Sequence, residues 1–210
     1  ATGCTAIAAQ LVDWSARKGF EVIMGGGRDR FFPNTLADTE DTTAMGRRTD
    51  GRNLVEEWLG DSNSSAYVWN AAQLGEVDLA NTTRLFGLFE RDHMEYELDR
   101  ARDAAGEPSL AEMTTAALEV LQQNDNGFIL MIEGGRIAHP HHPGYAAGAL
   151  GGAIAFGAAV RVGRSRVDLD ATLRAATARP DQRRDAGVAR ADLHRHFERS
   201  GRRLADPVQA

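Results

Sequence analysis

The chain has 210 residues, which is long enough for one domain with its own core. Its composition, 42% hydrophobic and 26% charged, excludes an intrinsically disordered protein. Its net charge of −6 is unevenly spread, because residues 1–150 carry 12 Lys+Arg against 23 Asp+Glu, whereas residues 151–210 carry 12 Arg against 7 acids. No apolar run has the length of a membrane span, and the single cysteine, Cys4, excludes an internal disulfide.

The first half of the chain predicts helices alternating with strands. Residues 4–18 repeat apolar side chains at helical spacing, and residues 21–27 form a short apolar strand that enters a glycine turn. Residues 51–60 predict a second helix with one apolar face. Two further strands are expected at 66–70 and 84–89, where short runs of aromatic and aliphatic residues occur.

The second half begins with the clearest helix, at residues 109–124. Ser109 and Glu112 have the spacing of a capping box, and an apolar stripe follows at helical period. The continuous apolar run at 127–133 predicts a strand buried on both of its faces.

Two more elements follow, a helix at 143–162 that is rich in Ala and Gly, and a short strand at 171–177. Strands that alternate with helices indicate an α/β fold with a parallel sheet covered by helices on both faces. Ligands of such sheets bind beyond the carboxyl ends of the strands, and Glu133 stands at one of these ends.

The stretch MIEGGRIAHPHHPG, residues 131–144, has the most distinctive chemistry of the chain. Glu133 precedes a glycine turn and a cluster of three histidines, His139, His141 and His142. Carboxylate oxygens and imidazole nitrogens are the usual ligands of zinc, and carboxylates together with water suit magnesium. Two metal ions that lie close together can stabilise the attacking and leaving oxygens in phosphoryl transfer. A histidine cluster in a solvated loop is the alternative, since the stretch holds no second acidic residue. The residues alone leave both interpretations open.

This stretch resembles the metal-binding segment of alkaline phosphatases, which reads EGGRIDHxHHxG. Five further stretches are similar to consecutive segments of that family in the same order: VIMGGGRDRFFP, DGRNLVEEW, AYVWN, LFGLFERDHMEYE and GEPSLAEMTTAALEVL. The resemblance therefore covers about residues 3–162. It implies a three-layer α/β fold with a mainly parallel sheet, of which this chain would hold an incomplete part. It also implies hydrolysis of phosphate monoesters with two zinc ions, one magnesium ion and a phosphorylated serine.

The resemblance assigns two metal ligands in this chain. Glu133 matches the family's glutamate ligand to magnesium, and His142 matches a histidine ligand to the first zinc. His139 and His141 match positions near that zinc which are not direct ligands. Ala138 falls where the family has an aspartate ligand, and a methyl group cannot coordinate a metal.

The acidic region that follows the predicted strand 84–89 carries a weaker resemblance. Glu90 and Glu107 are similar to positions that some animal members use for a structural calcium. Surface acids are more often simply solvated, so calcium binding is one of two interpretations.

Several catalytic parts of the family have no counterpart that we recognise. The nucleophilic serine, its neighbouring aspartate and the phosphate-binding arginine are expected upstream of the start of this chain. Residues 177–182 read TARPDQ where the family has a TADH-like strand that binds the second zinc. We therefore divide the chain into a partial alkaline phosphatase-like domain, 1–162, and a divergent or out-of-frame Arg-rich tail, 163–210. No catalytic residue is assigned, and no turnover is expected from this chain alone.

Further expectations follow from the same resemblance. Members are typically periplasmic or secreted and often dimeric, although this chain shows no signal peptide. The main alternative is a decayed or non-catalytic metal-binding α/β protein. A nucleic-acid-binding module built on the Arg-rich tail is a third hypothesis. The body is acidic, and the tail arginines show no pattern of interleaved aromatic residues and no binding motif, which argues against it.

Overall fold

Three short parallel strands form the sheet of the computed structural model, which describes residues 2–15, 19–60, 62–141 and 144–168. Strand β1 spans Val22–Gly25, β2 spans Ser65–Val68 and β3 spans Arg84–Leu88. Their order is β1-β3-β2, so β3 is central and β1 lies at an edge. The prediction of a parallel α/β sheet is confirmed at all three strands.

Six α-helices accompany the sheet within the described residues: α1 (Thr2–Ser15), α2 (Leu54–Leu59), α3 (Ala71–Glu76), α4 (Leu110–Leu121), α5 (Ala138–His141) and α6 (Ala146–Arg166). Short 3-10 turns occur at Arg28–Arg30, Arg100–Arg102 and Gly135–Ile137. The predicted capping box is present, since the Ser109 side chain accepts from the Glu112 amide and the Glu112 carboxylate accepts from the Ser109 amide. Helix α3 was not predicted, because Leu74 is its one large apolar side chain and a single such residue gives no helical period.

The alternating side chains of β3 divide the core between two faces of the sheet. Phe86 and Leu88 pack in a cluster with α1 and α2, where the rings of Phe86 and Trp58 lie 5.0 Å apart between centroids. Leu85 belongs to the opposite cluster, which includes buried side chains of α3 and α4. Helices therefore cover both faces, and the expected three-layer arrangement is present around this small sheet.

The prediction of a buried strand at residues 127–133 is wrong for this structure. Residues 128–133 have no regular secondary structure, and no backbone hydrogen bond joins them to the other described residues. Ile129 is 96% exposed and Met131 is 86% exposed. An apolar run forms a buried strand only where a neighbouring strand pairs with its backbone. Strand β1 lines the same cavity as this segment, but within the described part it pairs only with β3.

Helix α6 confirms the predicted helix at 143–162 and extends it to Arg166. Among the described helices, α6 is the one that is long and apolar enough to cross a membrane. The prediction that no apolar segment has the length of a membrane span is therefore corrected. Core helices of soluble proteins meet the same criterion. The strand predicted at 171–177 lies outside the described residues, and the domain boundary at 163 stays a prediction.

Candidate functional site

A cavity of about 880 Å³ is lined by Val22 and Met24 of β1 and by Met113 and Ala117 of α4. The turn Gly25–Gly27, at the carboxyl end of β1, contributes to one part of its lining. Residues 130–137 line another part and bring Glu133 to the same cavity. Asp92 and His93, from the loop after β3, also line it. Glu133 and the end of β1 therefore share one cavity, as expected for a ligand site of a parallel sheet.

Gly26 fixes the loop after β3 against the end of β1. A Cβ atom at this position would overlap the carbonyl oxygen of Asp92 and lie 3.0 Å from the amide nitrogen of Met94. Both neighbours are backbone atoms, which cannot turn away as a side chain can. The glycine therefore permits the close approach that places Asp92 and His93 beside the cavity.

The turn that follows Glu133 packs on helix α6 through glycines. A Cβ at Gly134 would lie 2.8 Å from Ile137 Cδ1, and a Cβ at Gly152 of α6 would lie 3.1 Å from Ile137 Cγ1. These contacts leave little room for larger residues, so the small side chains of α6 help to set the position of the turn. Glu133 itself remains exposed.

His139 is held by contacts on two sides. Its Nδ1 lies 3.1 Å from Nη1 of Arg136, and because a guanidinium can only donate, Nδ1 accepts this hydrogen bond. The His139 ring meets the His93 ring edge to face, with centroids 4.5 Å apart. Arg136 in turn lies 3.9 Å from the ring centroid of Tyr96. In this arrangement the Nδ1 lone pair of His139 accepts from Arg136 and does not face a metal ion.

The residues predicted to bind zinc and magnesium are only partly described. Glu133 lines the cavity, whereas His142 lies outside the described residues, and His141 is the last residue of α5. Ala138 begins α5 and is exposed, and its methyl group supplies no ligand atom. Within the described ranges, Glu133 belongs to no group of three His, Cys, Asp or Glu residues close enough to share an ion. The described residues therefore do not by themselves fit a zinc or magnesium centre here.

A different set of acids does converge elsewhere in the described part. Carboxylate oxygens of Glu40, Glu90 and Asp103, hereafter the acidic cluster, all lie within 4.8 Å of one another. Oxygen-only ligands suit a hard cation such as Ca²⁺ better than zinc. Glu107, which resembles a calcium position, is outside this group, and its Oε1 accepts from the Glu95 amide at 2.7 Å. The sequence indicated Glu90 but missed Glu40 and Asp103, which lie in separate loops.

Two of the acids in this region have strongly altered proton affinity. Burial, reinforced by the nearby Glu40 carboxylate, raises the pKa of Glu90 to about 7. Burial also raises the pKa of Glu107 to about 7, with Glu90 and Asp103 adding to the effect. Among the described residues, one oxygen of Glu107 and one of Asp103 find no hydrogen-bond partner. The region therefore concentrates negative charge that is only partly compensated.

Arg28 connects the glycine turn after β1 to the acidic cluster. It is fully buried, and its Nε and Nη2 donate to both carboxylate oxygens of Asp38 at 2.9 and 2.8 Å. Nη2 also donates to Glu40, and Nη1 donates to the carbonyl oxygen of Leu88 in β3. Burial alone would raise the pKa of Asp38, but the hydrogen bonds from Arg28 and from the Glu40 amide lower it below the ordinary value.

Comparison with known proteins identifies the family. The alkaline phosphatase family model matches residues 1–184. The chain is 43% identical over 179 residues to the membrane-bound alkaline phosphatase of Bombyx mori, which covers 83% of this chain and 32% of that protein. It is 41% identical over 182 residues to the tissue-nonspecific alkaline phosphatase of Felis catus, covering 84% of this chain and 34% of that protein.

Comparison of the fold with solved structures leads to the same family. The crystal structure of Thermus thermophilus alkaline phosphatase superposes with a TM-score of 0.59 and 32% identity, covering 77% of this chain and 29% of that one. The chain thus spans about a third of the length of the curated relatives that it matches. The expected α/β alkaline phosphatase-like fold is confirmed, and the chain belongs to the alkaline phosphatase family.

Proposed function

We propose that this chain is part of a metal-dependent phosphomonoester hydrolase, to which it contributes Glu133 as a magnesium ligand and His142 as a zinc ligand. The observation that carries the proposal is that Glu133 lines the same cavity as the carboxyl end of β1. Family membership supports phosphate monoesters as the substrate class.

The proposal gives the chain no turnover of its own. Ala138 leaves the first zinc one ligand short, and no residue of the chain is assigned as the nucleophile that forms the covalent intermediate. When bound, the metal ions would neutralise charge on the phosphate oxygens. What the described residues supply is the carboxylate of Glu133, in a lining that holds both cationic side chains, such as Arg136 and Arg30, and acidic ones, such as Asp92 and Glu95.

Calorimetric titration with Zn²⁺ and with Mg²⁺ tests the two ligands. The Glu133→Gln variant should lose magnesium affinity by at least tenfold, and the His142→Ala variant should lose zinc affinity to the same degree. Glu95→Gln is the matched control, because Glu95 is an exposed acid that lines the same cavity and is not proposed as a ligand. Equal affinities in His142→Ala and wild type would show that the zinc assignment is incorrect.

A second candidate is a non-catalytic metal-binding protein of the same family. It is favoured by the acidic cluster, in which three carboxylates converge, whereas Glu133 has no comparable group in the described part. In that case a hard divalent cation would bind without any effect of Glu133→Gln. The same titrations therefore separate the two candidates. If the second candidate is correct, Glu90→Gln is the variant that removes cation binding.

We also propose that the protein acts outside the cytoplasm and as a homodimer, by analogy with the family. One relative is named a membrane-bound alkaline phosphatase, which supports an exported location. Size-exclusion chromatography with light scattering tests the dimer, and a monomer at all protein concentrations would contradict it.

A further inference from the structure

The turn after helix α4 contains an asparagine that is followed directly by a glycine. The chain has seven asparagines, and Asn126 is the only one whose next residue is glycine. Helix α4 ends at Leu121, and both Asn126 and Gly127 are exposed in the turn that leads to residues 128–133. An Asn-Gly pair is typical of a turn, and it also brings an amide side chain next to an unshielded backbone nitrogen.

The side-chain amide of Asn126 is open to attack. No described residue holds this amide in a hydrogen bond, and the backbone N–H of Asn126 donates to Oδ1 of Asn124 at 3.0 Å. The local turn therefore engages the side chain of Asn124 and leaves that of Asn126 in solvent. The carbonyl carbon Cγ of Asn126 can be reached by a nucleophile from its own chain.

Gly127 supplies a backbone nitrogen without a neighbouring side chain. Its φ is +86°, and a Cβ atom added to it would meet nothing within 4 Å. The Gly127 N–H donates to the carbonyl oxygen of Asn124 at 2.9 Å, so this bond must open before the nitrogen can react. Both residues are exposed, and a hydrogen bond in a surface turn opens locally at low cost.

We propose that Asn126 is a site of spontaneous deamidation, in which Gly127 supplies the nucleophile. The Gly127 nitrogen loses its proton to hydroxide and attacks Cγ of Asn126, so that a new C–N bond closes a succinimide ring. The bond from Cγ to the side-chain nitrogen breaks, and this nitrogen takes a proton from water and leaves as ammonia. Water then opens the ring at either carbonyl, which gives aspartate or isoaspartate without any oxidant or reductant. This chemistry does not depend on the metal-site proposal.

Other exposed asparagines of the chain lack this combination. Asn63 and Asn81 also lie in exposed turns, but Ser64 and Thr82 follow them, and a side chain on the next residue hinders ring closure. The Asn81 amide is also engaged, because its Nδ2 donates to Oδ2 of Asp78 at 2.7 Å. The structure therefore singles out one position of the seven.

Both products change the connection between α4 and residues 128–133. Either one adds a carboxylate, which is ionised at neutral pH, next to Asp125 and beyond the negative end of the α4 dipole. Isoaspartate also inserts one carbon atom into the main chain before Gly127. This displaces the Gly127 amide from the Asn124 carbonyl and removes the hydrogen bond that closes the turn.

Incubation of the purified full-length chain in mildly alkaline buffer, followed by peptide mapping with mass spectrometry, tests the site. All seven asparagines are measured in one sample, so Asn63 and Asn81 are internal controls. We expect Asn126 to deamidate at least tenfold faster than either, with release of ammonia and with both aspartate and isoaspartate as products. Methyl labelling by an isoaspartyl methyltransferase detects the second product.

Asn126→Gln is the matched variant, because glutamine keeps the amide but places it one methylene further from the Gly127 nitrogen. It should release ammonia no faster than the six remaining asparagines allow, and it should not be labelled. Wild type unfolded in urea should react faster than the folded chain, since the bond from Gly127 to Asn124 is then absent. Three results would each overturn the proposal: a rate at Asn126 in the folded chain no higher than at Asn63, equal labelling of Asn126→Gln and wild type, or aspartate formed without isoaspartate.

Discussion

Replacing Arg28 with methionine tests the role of the buried ion pair that follows the glycine turn. Arg28 is fully buried and donates to Asp38, Glu40 and the Leu88 carbonyl. Methionine fills much of the same volume, so the main loss is electrostatic. Asp38, which is 2% exposed, would keep its charge without a buried partner. Removing one member of a buried pair costs about 3–5 kcal/mol, a large fraction of the stability of a small domain.

Urea unfolding followed by tryptophan fluorescence measures this loss, since Trp58 is fully buried in the folded chain. Asp38→Asn should cost less, because Arg28 retains Glu40 and the Leu88 carbonyl as partners. The double variant Arg28→Met/Asp38→Asn should lose less than the sum of the two single losses.

Arg102→Met is the matched control. The Arg102 side chain is 83% exposed and pairs with Asp99 three residues earlier, so its replacement should change the unfolding free energy by less than about 0.5 kcal/mol. The reasoning is refuted if Arg28→Met loses less than about 1 kcal/mol, or no more than Arg102→Met.

Three further predictions follow from local geometry. Gly26→Ala should destabilise the chain by about 1–3 kcal/mol, because the added Cβ would overlap the backbone of the loop at Asp92. Gly25→Ala is the control, since Gly25 has open space around it, and it should be nearly neutral in the same urea assay. Ser109→Ala should cost about 1 kcal/mol by removing the capping box of α4, and an unchanged urea midpoint would contradict that role. Since the pKa of Glu107 is raised from 4.5 to about 7, the folded chain holds a proton that the unfolded chain releases between these values. Stability in cation-free buffer should therefore fall as pH rises through that window, more steeply in wild type than in Glu107→Gln, and parallel profiles would exclude this cause.

The sequence predicted best the elements whose signals are local. The helix at α4 follows from its capping box and apolar stripe, and the strands β1, β2 and β3 follow from short apolar runs. Each of these signals acts over a few residues. They identify the elements without information about distant parts of the chain.

The failure at 127–133 has a physical reason. The same apolar residues form a buried strand when both edges are paired, and stay exposed when no strand is available. Pairing is a property of distant segments, so the composition of the run cannot determine it.

The site was also predicted in part. The resemblance identified Glu133, which lies at the cavity beside the end of β1, but nothing in the sequence indicated that Glu40 and Asp103 approach Glu90. Arg28 donates to Glu40 and so helps to hold one of these three acids in place. Charged residues spaced irregularly in loops give no periodic signal, so only the fold reveals such a cluster.

Hydrolysis of a chromogenic phosphate monoester at alkaline pH, with zinc and magnesium added to the purified chain, tests the central claim most directly. We expect no turnover above the uncatalysed background, because Ala138 removes one zinc ligand and the chain has no assigned nucleophile. Ala138→Asp should not restore activity on its own. Zinc-dependent turnover by the unmodified chain, abolished in Glu133→Gln, would contradict the account.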